Sequence, residues 1–296
     1  MGAGPKPGWL KIRFNETEET RRIAGLHAKD GLFSVCQSAL CPNRMECWAS
    51  GTATFMVMGE YCTRSCRFCA VKTMAKPPPL DEDEPKKLAD AIETLGLKYA
   101  VITSVTRDDL ADGGADHIVR CVREIKKTNP KIFVEALVPD FGGNEEAIRT
   151  MIGSGVDVLS HNIETVERLS PEIRDRRASY KQSLGVLKKI NEISGARVIT
   201  KSGLMVGFGE SEDEVEKALE DLSDAGIEIV TIGQYLQPSK NARNIPVKEY
   251  VSPETFSRYE KIGYELGFRF VASGPFVRSS YRAAEPFIKG LIHARR

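Results

Sequence analysis

Short apolar, β-rich runs recur along the chain at residues 54–58, 99–103, 132–138, 156–160, 197–201, 227–232 and 268–272. Between them the apolar positions change to a helical period. Leu88, Ala89, Ile92 and Leu95 share one face, as do Ile118, Cys121, Val122 and Ile125. Segments 179–194, 211–225 and 253–266 have helical length and the same spacing. Asp81-Glu82-Asp83-Glu84 stands where the first of these helices begins, and reads as a solvated helix start whose acids suit the dipole. Strand alternating with helix implies a parallel sheet with right-handed crossovers. About six βα units predict an α/β protein, a whole or partial (β/α) barrel, although an open doubly wound sheet would share the pattern. In a barrel, chemistry sits on the loops at the C-terminal ends of the strands. Roughly fifty residues precede the first run without a strong strand pattern. The expected organisation is therefore an N-terminal extension over 1–50, a barrel core over 51–267 and a C-terminal extension over 268–296.

Composition mostly excludes. The chain has 296 residues, 41% hydrophobic and 28% charged, which is ordinary globular usage and enough for a sizeable core. Lys and Arg number 42 against 41 Asp and Glu, a net charge of +1, so no global field recruits nucleic acid or an anionic membrane. No apolar stretch is long enough to span a bilayer, and residues 1–7 resemble neither a signal nor a transit peptide. A cytoplasmic protein without nucleic-acid or membrane partners is expected.

The seven cysteines change the picture, because six fall between Cys36 and Cys69. Clustering of this kind outside a secreted chain points to metal or redox chemistry. Cys62, Cys66 and Cys69 form C-x3-C-x2-C directly after the first strand run. Three thiolates on one short loop hold three irons of a [4Fe–4S] cluster and leave the fourth open. Structural zinc would want a fourth ligand, and a redox C-x-x-C would use only Cys66 and Cys69. Cys36, Cys41 and Cys47 form C-x4-C-x5-C and cannot share a cluster whose ligands are already local, so a second cluster is the economical reading. Cys121 lies on an apolar helix face and reads as a buried, inert thiol. Phe55, Met56 and Met58 read as core.

C-x3-C-x2-C with an aromatic before the last cysteine resembles the radical S-adenosylmethionine (SAM) superfamily. The upstream triad, with its Cys-Pro-Asn and Glu-Cys-Trp, together with Arg278-Ser279-Ser280-Tyr281, resembles the lipoyl synthases within it. The resemblance extends over nearly the whole chain, through Thr103–Leu110, His161–Val166, Thr200–Gly207 and Gly233–Ser239. It departs after Ser239: family members often carry a basic residue and a His before a Leu-Pro pair, whereas this chain reads Ala242-Arg243-Asn244-Ile245-Pro246.

The resemblance implies two [4Fe–4S] clusters and SAM as cofactors. Cys62, Cys66 and Cys69 would hold the SAM-binding cluster. Cys36, Cys41, Cys47 and one serine would hold an auxiliary cluster that donates sulfur to C6 and C8 of a protein-bound octanoyl-lysine. An alkoxide is harder and more readily displaced than a thiolate, which suits a cluster that is opened in use. In an extended segment only one of two adjacent serines faces the cluster. Ser280 is favoured, with Ser279 beside it. Asn162, Glu164 and Lys201, at barrel strand ends, are candidates to hold the ribose and methionine parts of SAM. Arg107, Asp108 and Asp109 read equally as a structural ion pair with a turn. The implied partners are octanoylated lipoyl-carrier domains, a ferredoxin or flavodoxin-type electron donor and iron–sulfur assembly proteins. A biotin-synthase-like sulfur-inserting enzyme is the nearest alternative, and a zinc-stabilised binding module is one from another class.

Overall fold

The computed structural model describes residues 4–10, 17–41, 43–49, 54–195, 197–240, 243–280 and 290. Tyr281 therefore lies outside the described residues. The chain divides into two compact units, one built from 13–64 and 71–160, the other from 1–12, 65–70 and 161–296.

The first unit opens with α1 (Glu18–Asp30), β1 (Phe33–Ser34), α2 (Val35–Ser38) and α3 (Arg44–Ala49). β2 (Thr54–Val57), the short β3 (Tyr61–Cys62) and β4 (Lys72–Thr73) follow. Alternation then sets in with α4 (Glu84–Thr94), β5 (Tyr99–Ser104), α5 (Ala115–Thr128), β6 (Phe133–Leu137), α6 (Glu145–Ile152) and β7 (Val158–Ser160). The sheet of this unit runs β1-β2-β5-β6-β7. β2, β5, β6 and β7 are parallel, and β1 is antiparallel to β2. The N-terminal extension thus contributes a strand that its sequence did not announce. Two residues are too few for a period-2 pattern to register.

The second unit contains α7 (Ser170–Ile173), α8 (Tyr180–Ser194), β8 (Ile199–Val206), α9 (Glu212–Asp224), β9 (Ile229–Gln234), α10 (Pro253–Glu265) and β10 (Phe270–Gly274). β8, β9 and β10 form a parallel sheet. The expected helices begin where caps dictate. Ser179 accepts from Gln182 N, Ser252 accepts from Thr255 N, and Ser211 with Glu214 closes a reciprocal capping box. Leu187, Leu204, Val206, Val215, Leu219, Val230 and Ile232 form the centre of the core of this unit.

Several strands start one or two residues later than their apolar runs. Ile132, Val156, Val198, Ile227 and Phe268 each precede a strand and are buried. Burial writes the apolar pattern, whereas ladder bonds define the strand, and the two begin at different residues. β8 also continues through Ser202-Gly203 to Val206, beyond the apolar run that ended at Lys201.

Two expectations about α4 and α5 resolve differently. Cys121 is fully buried, and desolvation, with the nearby Glu84 charge, pushes its thiol far above the ordinary range. Glu84, by contrast, is no solvated helix-start acid. It is 5% exposed, accepts Met58 N–H at 2.8 Å and lies 2.6 Å from His117 Nε2. Met58 has φ +69 and so cannot present its amide to a strand partner, and the first residue of α4 serves it instead. Glu84, His117 and Cys121 lie close enough to ligate an ion. The bonds of Glu84 to Met58 N–H and His117 tie α4 and α5 to the end of β2.

Gly114 leaves room for the Met58 side chain. It has φ +87, and a Cβ added there would sit 2.1 Å from Met58 Sδ. Gly114→Ala is expected to cost about 2 kcal/mol through overpacking and left-handed strain. Chemical denaturation of the apoprotein measures this, and an unchanged midpoint would contradict the packing described.

Candidate functional site

The downstream cysteine segment leaves β2 through the Met58-Gly59 bend. In the first unit, Cys62 pairs with Thr73 across β3 and β4, and its carbonyl accepts Met74 N–H at 3.0 Å. The Cys62 Sγ accepts two amides, from Arg64 and Thr106, each at 3.4 Å. Thr63 Oγ1 donates to Thr106 O and the Asp108 carboxylate and accepts Asp108 N–H. Arg64 is held on both edges of its guanidinium, by Asp108 at 2.8–3.2 Å and by Asp140 at 2.7–2.8 Å. Burial works against the Arg64 charge, but the two carboxylates outweigh it and hold the group cationic. Asp140 is fully buried, and its carboxylate also accepts Gly142 N–H. Arg107 pairs with Asp109 at 2.8 Å, the structural ion pair that was one of its two readings, while Asp108 serves the cysteine segment.

In the second unit, Ser65 donates both its amide and its hydroxyl to Asp175. The Asp175 amide in turn donates to Cys66 Sγ at 3.3 Å. The Arg177 guanidinium holds the Asp175 carboxyl far below the usual carboxylate range, so the anchor stays ionised at any physiological pH. Arg67 N donates to Ile173 O at 2.8 Å, and Cys69 N closes a turn on Cys66 O at 3.1 Å. Amide donors aimed at sulfur are what a cluster ligand accepts, so Cys62 and Cys66 fit an iron–sulfur group. None of the seven cysteines is in a disulfide.

The upstream triad belongs to the first unit. Cys36 lies in α2 and Cys47 in α3, both 8% exposed, with Cys41 half-buried between them. Leu40 takes φ +53, which turns the chain so that Cys41 N reaches Cys36 O at 3.0 Å. Desolvation, with Cys41 nearby, pushes the Cys36 thiol up. Arg44 stacks over Trp48 on α3 at 5.6 Å.

Ser279 and Ser280 belong to the second unit. They lie in a turn rather than an extended segment, both partly exposed. Strict alternation between neighbours therefore does not choose between them. Arg278 Nη1 folds back to donate to Val277 O at 2.7 Å. A Cβ on Gly233, in β9, would meet that same carbonyl at 2.1 Å, so Gly233 gives this turn its room.

Asn162, Glu164 and Lys201 are brought together along β8. His161 N donates to Lys201 O, Glu164 N to Gly203 O and Met205 N to Glu164 O. Lys201 is buried at 2% exposure. Asn162 Oδ1 is buried without a partner among the described residues, an acceptor left for an incoming donor. Glu164 holds φ +68, and desolvation raises its carboxyl against the pull of Arg174 and an Asn162 hydrogen bond. A strained, desolvated acid beside an amide oxygen without a partner among the described residues suits a site that binds a polar ligand.

Sequence reasoning did not single out Asp140, Asp175 or the buried role of Glu84. Each acts across a long stretch of chain, and no local spacing marks it.

The radical SAM superfamily profile matches residues 56–222. A mitochondrial lipoyl synthase of Culex quinquefasciatus is 52% identical over 98% of this chain and 77% of its own length. A lipoyl synthase of Anaeromyxobacter sp. (strain Fw109-5) is 52% identical over 98% of this chain and 97% of its own. Among solved structures, methylornithine synthase superimposes with TM-score 0.56 at 13% identity, over 92% of this chain and 85% of that one. Streptococcus suis SuiB bound to S-adenosylmethionine does so with TM-score 0.56 at 11% identity, over 74% and 49%. The α/β expectation with parallel strands thus holds, in the form of the radical SAM fold.

Arg64→Gln would leave the buried Asp140 without its cation. The expected loss is about 3 kcal/mol, since removing one member of a buried pair strands the other. Urea unfolding of the apoprotein tests it. A loss below about 1 kcal/mol would show the pair to behave as a surface contact.

Proposed function

The chain belongs to the lipoyl synthase family, within the radical SAM superfamily, and from that membership we propose how its own residues divide the reaction. It is a radical SAM enzyme that inserts sulfur into the acyl group of a lipoyl-carrier protein, using SAM and an iron–sulfur cluster. The observation that carries this is 52% identity over 98% of the chain.

Cys62, Cys66 and Cys69 hold the cluster that meets SAM, supported by the amides that reach Cys62 and Cys66. Cys36, Cys41, Cys47 and Ser280 hold a second cluster, the sulfur source. When bound, the two groups supply the electron that cleaves SAM, so that hydrogen can be taken from an unactivated carbon, and the sulfur that replaces it. Asn162, Glu164 and Lys201 hold the polar parts of SAM, which the orphaned Asn162 acceptor supports. Residues 1–50 and 268–296 serve the second cluster, and 51–267 serve SAM. The acyl group is an octanoyl amide on lysine, which gains sulfur at C6 and C8. Electrons come from a ferredoxin or flavodoxin-type donor, and assembly proteins rebuild the consumed cluster. No described helix is long and apolar enough to cross a membrane. Anaerobic turnover with SAM, reductant and an octanoyl-lysyl peptide, read by mass spectrometry, tests the assignment. A peptide that gains no sulfur while SAM is cleaved would overturn it.

Changing Cys62, Cys66 and Cys69 together to Ala, or Cys36, Cys41 and Cys47 together, should each leave about four irons per chain. Loss of the upstream triad should spare reductive SAM cleavage and abolish sulfur insertion. Loss of the downstream triad should abolish both. Iron analysis beside product assays reads the outcome. A folded triple variant without iron would refute two independent sites.

A thiolate holds iron more firmly than an alkoxide. Of Ser280→Cys and Ser279→Cys, the one at the ligating serine should therefore retain the second cluster while slowing product formation in a single turnover, and the other should change little, which identifies the ligand. Wild-type yields from both variants would remove the serine from the mechanism.

A further inference from the structure

Arg243, Asn244 and Ile245, in the segment that departs from the family pattern after Ser239, lie against Arg67 and Cys69. Asn244 is 3% exposed, and its side-chain amide donates to two carbonyls of the cysteine segment, Arg67 O and Cys69 O, each at 3.1 Å. Ile245 N also donates to Arg67 O, at 3.2 Å. Arg243 Nη2 also donates to Cys69 O, at 2.5 Å. Both carbonyls thus receive two donors, which uses their full accepting capacity. The amide is fixed end for end, because Ser239 Oγ donates to Asn244 Oδ1 at 3.0 Å. The backbone is fixed as well. Gln237 Nε2 donates to Asn244 O at 3.0 Å, and Tyr235 OH donates to Ile245 O at 2.7 Å. Tyr235 itself stacks on Phe208 at 4.3 Å within the core.

We infer that Asn244 is a positioning residue for the SAM-side cluster: its amide bridges the Arg67 and Cys69 carbonyls and so holds the Cys66–Cys69 turn in the shape that three-thiolate ligation needs. This rests on the reading that Cys62, Cys66 and Cys69 hold that cluster. The turn closes on the bond from Cys69 N to Cys66 O, and its outer carbonyls are met by Asn244, Arg243 and Ile245. Two carbonyl dipoles drawn toward Asn244, Arg243 and Ile245 are also two dipoles not turned on the cluster. Hydrogen bonds and local charge set the potential of such a group. Asn244 acts through the turn and touches neither SAM nor the reacting carbon.

The test uses the full-length chain, loaded anaerobically, as wild type, Asn244→Asp, Asn244→Ala and Ser239→Ala. The cluster followed is the one whose electron paramagnetic resonance signal changes on adding SAM. The readouts are its rate of iron release to a chelator and its midpoint potential. Asn244→Asp sets a carboxylate against two carbonyl oxygens. It should release iron about tenfold faster, the worth of one buried hydrogen bond, and titrate at a more negative potential. Asn244→Ala should release iron faster with a smaller shift in potential. Ser239→Ala, which removes only the bond that orients the amide, should move both readouts slightly in the same direction. Wild-type release and potential in both Asn244 variants would overturn the proposal. If circular dichroism shows those variants unfolded, wild-type values from Ser239→Ala overturn it. A wild-type chain with no SAM-responsive signal fails earlier, at the cluster assignment, and takes the positioning role with it.

Discussion

The run from Cys62 to Cys69 leaves its strand ladder after the first cysteine, yet its amides and carbonyls still need partners. Between Cys62 and Cys69 only the first cysteine has a strand register. The remaining polar groups are met from elsewhere in the fold. In the first unit Thr106, Asp108 and Asp140 take Thr63 and Arg64. In the second, Asp175 takes Ser65, Ile173 takes Arg67, and Asn244 takes the carbonyls of Arg67 and Cys69. Thr106 and Asp108 follow β5, Asp140 follows β6, Ile173 ends α7 with Asp175 just beyond it, and Asn244 lies in the loop after β9, so each unit holds its own part of the segment without asking it for regular structure. Loops placed in this way on rigid elements carry chemistry because their shape is held by something stiffer than themselves.

The charges used for anchoring follow the same logic. Arg64 contributes one cation to two carboxylates, of which Asp140 is fully buried. Such a pair is a poor source of net stability, because desolvation consumes much of its attraction. Its geometry is the gain: a planar fork engaged on two edges fixes a residue midway between two cysteines. Asp175 is likewise an ionised carboxylate, held by Arg177 and turned toward a backbone amide. Neither anchor depends on the protonation of a cysteine, so the segment can keep its shape before any metal arrives.

Much of this was legible in the sequence where spacing alone carries the chemistry. Two cysteine triads at fixed intervals, one directly after a strand run, need no tertiary information to suggest metal. The parallel α/β pattern was legible because burial repeats at each strand. What stayed hidden acts at long range. Asp140 and Asp175 meet Arg64 and Ser65 across 76 and 110 residues, and each looks like an ordinary loop acid on its own. Glu84 looked like a helix-start acid because the dipole gives a sufficient reason for it, and its bond to Met58 appears only in three dimensions. Asn244 was visible as a departure from the family pattern, but its meaning required the two carbonyls it reaches.

Sulfur in both triads already accepts hydrogen bonds from the surrounding fold. Cys62 and Cys66 receive backbone amides at sulfur from Arg64, Thr106 and Asp175. Cys36, in the short α2, takes bonds from Thr54 and Ser34, while desolvation and the neighbouring Cys41 push its thiol up. Binding of a metal to a thiol held protonated in this way releases a proton, so occupancy of such a site depends on pH. Donors aimed at sulfur are what a metal-bound cysteine accepts, and apart from Arg64 they come here from residues outside each cysteine spacing, which is why the spacing alone did not reveal them.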